Sequence, residues 1–100
     1  MTKEILTQWI TKVANLDTDA DDFEVLVDTA MEEAAEFIKE PGLDLDIYLD
    51  LCNLQWLWKH LKHTDYDVGS GADEAYPVIY VLREVLDRML ERAEGFYKFN

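Results

Sequence analysis

The sequence predicts an all-α protein: a small up-and-down four-helix bundle forming a single domain over residues 1–100. Three observations predict it. Apolar residues make up 49% of the chain, enough for a real core and too many for a chain disordered by lack of hydrophobes. They recur at helical spacing in four separate stretches. Polar, proline-containing or glycine-containing breaks divide those stretches.

In residues 2–15, Ile5, Leu6, Trp9, Ile10 and Val13 fall within one arc at about 100° per residue. Thr2 suits the cap of this first helix and Asn15 suits its stop. A polar connector follows, Asp17-Thr18-Asp19-Ala20-Asp21. The second helix is expected over about residues 21–40, with the stripe Phe23, Leu26, Val27, Ala30, Met31, Ala34, Phe37 and Ile38. Acids at its start complement the positive end of the helix dipole. Pro41-Gly42 ends it, because proline removes a donor and glycine permits the turn. Asp22, Asp28, Glu32, Glu33, Glu36 and Glu40 are assigned to the side opposite the stripe.

The third helix, about residues 44–62, is apolar on two sides. Leu45, Tyr48, Leu49, Cys52 and Trp56 make one face, and Ile47, Leu51, Leu54, Trp58 and Leu61 make the other. A helix of this kind is central in its bundle or packs on a second chain. Each helix of a four-helix bundle normally needs one apolar arc. The reading favoured here is that a homodimer or an obligate partner completes the bundle; the alternative is that the bundle itself wraps the helix. Tyr48, Trp56 and Trp58 are the interface candidates, since large aromatics dominate such contacts. Residues 63–72, with Gly69, Ser70 and Gly71, read as a loop. The fourth helix covers about residues 73–97, with Pro77 near its start and a wide stripe of Val78, Ile79, Val81, Leu82, Val85, Leu86, Met89, Leu90, Ala93 and Phe96. Its outer side alternates in sign through Arg83, Glu84, Asp87, Arg88, Glu91 and Arg92. Residues 96–100 either fray or dock.

The charge is segregated. Residues 17–50 hold thirteen acids against the one base Lys39, a net −12, while the rest of the chain holds nine acids against eight bases, a net −1. The total of −13 argues against direct binding to nucleic acid or to an anionic membrane and favours a basic protein partner or divalent cations. Solubility alone would not require such segregation, and self-repulsion within one segment costs stability. The single cysteine, Cys52, excludes an intrachain disulfide. With no signal-peptide h-region and no membrane-length apolar run, a cytoplasmic location is expected.

Five arrangements of residues bear on chemistry. Asp17-x-Asp19-x-Asp21 resembles the opening of a calcium loop, with Asp28 at the twelfth place, but Asp22 stands where that loop needs glycine. His60 and His63, with Asp65 and Asp67 after them, lack a further well-placed zinc ligand. Cys52 has no identifiable base, and Gly69-Ser70-Gly71 lacks the lysine of a phosphate loop. Glu32-Glu33-x-x-Glu36 places Glu33 and Glu36 one turn apart, and the next helix offers the narrow polar stripe Asp46, Asp50 and Asn53. This arrangement, within residues 32–53, resembles the all-α nucleotide pyrophosphohydrolases of the MazG-like type. The resemblance implies magnesium held by Glu33, Glu36, Asp50 and Asn53 and used to activate water on a triphosphate. Asp50-x-x-Asn53 departs from the Glu-x-x-Asp of that family at both places.

The expectation that leads is a non-enzymatic acidic binding protein without cofactor, of the phage anti-defence, antitoxin or immunity-protein kind. Its acidic face would be Asp22, Asp28, Glu32, Glu33, Glu36, Glu40, Asp44, Asp46 and Asp50, occluding the basic surface of a nucleic-acid-binding protein. The alternatives are the magnesium-dependent pyrophosphohydrolase and a structural homodimer whose charge serves solubility.

Overall fold

A computed structural model describes residues 1–63 and 72–99. Among these, four helices follow one another: α1 (Lys3–Ala14), α2 (Phe23–Ile38), α3 (Leu45–His63) and α4 (Ala72–Gly95). The all-α four-helix bundle expected from the sequence is the fold. The glycine loop, Asp65 and Asp67 lie outside the described residues, as do the side chains of Leu61, His63, Val78 and Ile79.

The local signals explain the helix limits. The Thr2 hydroxyl accepts from the Ile5 backbone N–H at 3.2 Å, satisfying one of the donors that a helix start leaves open. Asn15 stops α1, its side-chain amide donating to the Thr11 carbonyl at 2.9 Å. Asp17 turns the connector by accepting from the Asp19 N–H at 2.9 Å. After α2, Gly42 takes φ of 76°, a conformation most side chains resist.

The order in space is α1 on α4, α4 on α3 and α3 on α2. Long-range contacts show that neighbours run antiparallel. Trp9 meets Phe37 edge-on at 5.7 Å and Lys12 meets Glu33 at 2.9 Å, so α1 and α2 run in opposite directions. Trp58 reaches Asp28 and Gln55 reaches the Met31 carbonyl, which does the same for α2 and α3. Asp50, early in α3, meets Arg92, late in α4.

The core is built from the predicted stripes. Leu6, Ile10, Val27, Ala34, Ile47, Leu51, Leu54, Leu86 and Met89 are buried at its centre. Four stripe residues depart. Ile5, Leu26 and Val81 are exposed; they sit at the edges of their arcs, where the neighbouring helix no longer covers them. Phe96 is also exposed and Tyr97 is buried in its place. The cause is that α4 ends at Gly95, so the 100° step no longer governs the residues after it. The tail docks: Tyr97 enters the core and Phe99 packs against it.

Candidate functional site

Two surfaces qualify as sites, the acidic side around α2 and the outer side of α3. The acids do not form one continuous face. Asp28 is half-buried and turned towards α3, where its carboxylate accepts from the Trp58 indole N–H at 2.8 Å. Its assignment to the outer side of α2 is therefore corrected: it lies on the flank of the helix, where α3 packs. Glu33 is held by Lys12 of α1 at 2.9 Å, and Glu40 pairs with the Met1 ammonium. Glu36 is exposed and lies 3.4 Å from Lys39. Asp22 and Glu32 are exposed, as are Asp17, Asp19 and Asp21 in the connector. Asp44 and Asp46 are half-buried before and within the first turn of α3; the Asp44 carbonyl accepts from the Tyr48 N–H at 3.0 Å.

Asp50 has the most committed carboxylate. It accepts from Arg92 at 3.0 Å and from the Tyr97 hydroxyl. Arg92 also lies over the Phe96 ring, 4.9 Å from its centroid. Burial, then the hydrogen bond to Asp50 and its negative charge, hold the Tyr97 phenol far above its ordinary value of 10. The raised value fixes the sign of the pH effect. The stabilisation is fully present below pH 10 and is lost as pH rises above it, because the unfolded chain ionises this phenol first. In denaturant melts at a series of pH values, the stability advantage of wild type over Tyr97→Phe is expected to be constant below pH 10 and to shrink above it.

The magnesium set does not assemble. Glu33 turns to α1 and Asp50 to α4, each already engaged by a cation, while Asn53 is exposed on α3. Among the described residues, no three His, Cys, Asp or Glu side chains converge on a point where an ion could sit. In the calcium-like run, Asp17 makes a turn by accepting from the Asp19 N–H at 2.9 Å. His60 stacks flat on Trp56, with centroids 5.1 Å apart and planes 6° from parallel.

The two apolar faces of α3 separate cleanly. Ile47, Leu51, Leu54 and Trp58 are buried. Leu45 is 66% exposed, Tyr48 40%, Leu49 52% and Trp56 63%, with Cys52 half-buried among them. Trp58 is thus a core residue, packed edge-on against Phe23 at 6.2 Å, and is withdrawn as an interface candidate. Tyr48 and Trp56 stay on the open side, joined by Leu45 and Leu49. The Asp50–Arg92–Tyr97 cluster has no sequence motif; alternating charge assigns Arg92 to the outer side of the fourth helix, whereas it is half-buried and reaches across to Asp50 of α3.

No protein-family model, no curated protein and no solved structure matches this chain.

Proposed function

We propose that the chain is a non-enzymatic binding protein that occludes a basic, nucleic-acid-binding surface of a protein partner. The observation that supports this reading is the acid left facing outward once the contacts that tie one element to another, those of Asp28, Glu33, Glu40 and Asp50, are set aside. Asp17, Asp19, Asp21, Asp22, Glu32 and Glu36 are exposed along the connector and the outer side of α2. Asp22 to Glu36 spans about 21 Å of helix at 1.5 Å per residue. A lysine- and arginine-lined groove built for phosphates would meet this line of charge with complementary potential, giving fast and salt-sensitive association. Glu33 and Asp50 serve the fold and drop out of the binding set.

The test is affinity capture at low salt with wild type and with Asp22→Asn/Glu32→Gln/Glu36→Gln, followed by competition with nucleic acid. Wild type is expected to retain a basic protein that high salt or nucleic acid releases, and the triple variant to lose it while melting normally. Equal retention by both baits, or a complex indifferent to salt and nucleic acid, would sink this reading.

A further inference from the structure

We draw no further inference here: the strongest candidate, the exposed apolar stripe of Leu45, Tyr48, Leu49 and Trp56 on the outer side of α3, supports no proposal because nothing in the structure shows what covers it.

Discussion

Trp58→Ala is expected to cost about 3–5 kcal/mol of stability. The indole is only 3% exposed, it packs on Phe23, and it donates a hydrogen bond to the half-buried Asp28 carboxylate at 2.8 Å. Alanine removes the largest side chain on the inner face of α3, opens a cavity between α2 and α3, and takes a donor away from a charge. Domains of this size hold about 5–15 kcal/mol in total, so the variant should be near its folding threshold. Trp58→Phe separates the two losses. It keeps most of the packing and removes the N–H, with an expected cost of about 1.5–3 kcal/mol for a hydrogen bond to a charged group. Trp56→Ala is the control two residues away. Its side chain is 63% exposed, and surface changes of that kind fall within about 0.5 kcal/mol. Urea melts of the three variants check the ranking. Equal effects at the two tryptophans would mean that the inner and outer faces of α3 have been misassigned.

Asp50→Ala is the second large effect, expected at about 2–3 kcal/mol. The carboxylate is 16% exposed and binds two groups at once. Its loss leaves the Arg92 guanidinium with the Phe96 ring and leaves the buried Tyr97 hydroxyl without its acceptor. For a domain of this length the corresponding fall in Tm is about 10–20 °C. Tyr97→Phe removes one arm alone and should cost about 1 kcal/mol. In the double variant Asp50→Ala/Tyr97→Phe the costs should fall short of additive, because the second change removes a bond already broken. Strict additivity in thermal melts would mean that the two side chains do not interact.

The helices were legible because their signals are local. Thr2, Asn15 and Pro41-Gly42 mark ends through backbone geometry that neighbouring residues alone determine. The two apolar faces of α3 were equally legible as periodicity. Which of them points inward was not, because both are comparably apolar, and Trp56 and Trp58 differ only by a rotation of about 200°. That choice belongs to the other helices. The acids show the same division. Spacing assigns a carboxylate to a side of its helix, but Lys12, Trp58 and Arg92 decide which carboxylates are already engaged, and each of them comes from a different element. Tyr97 was missed for a third reason: helical phase cannot be carried past Gly95, where the helix stops.

The partners of Asp50 lie 42 and 47 residues further along the chain. Closing a loop of that length costs entropy before the contact returns any energy, so such contacts favour a late place in assembly. Interactions absent at the barrier leave the rate of reaching the native state almost untouched and act on the rate of leaving it. Tyr97 and Arg92 are thus expected to act as a latch on Asp50, its hold measured as the lifetime of the folded molecule.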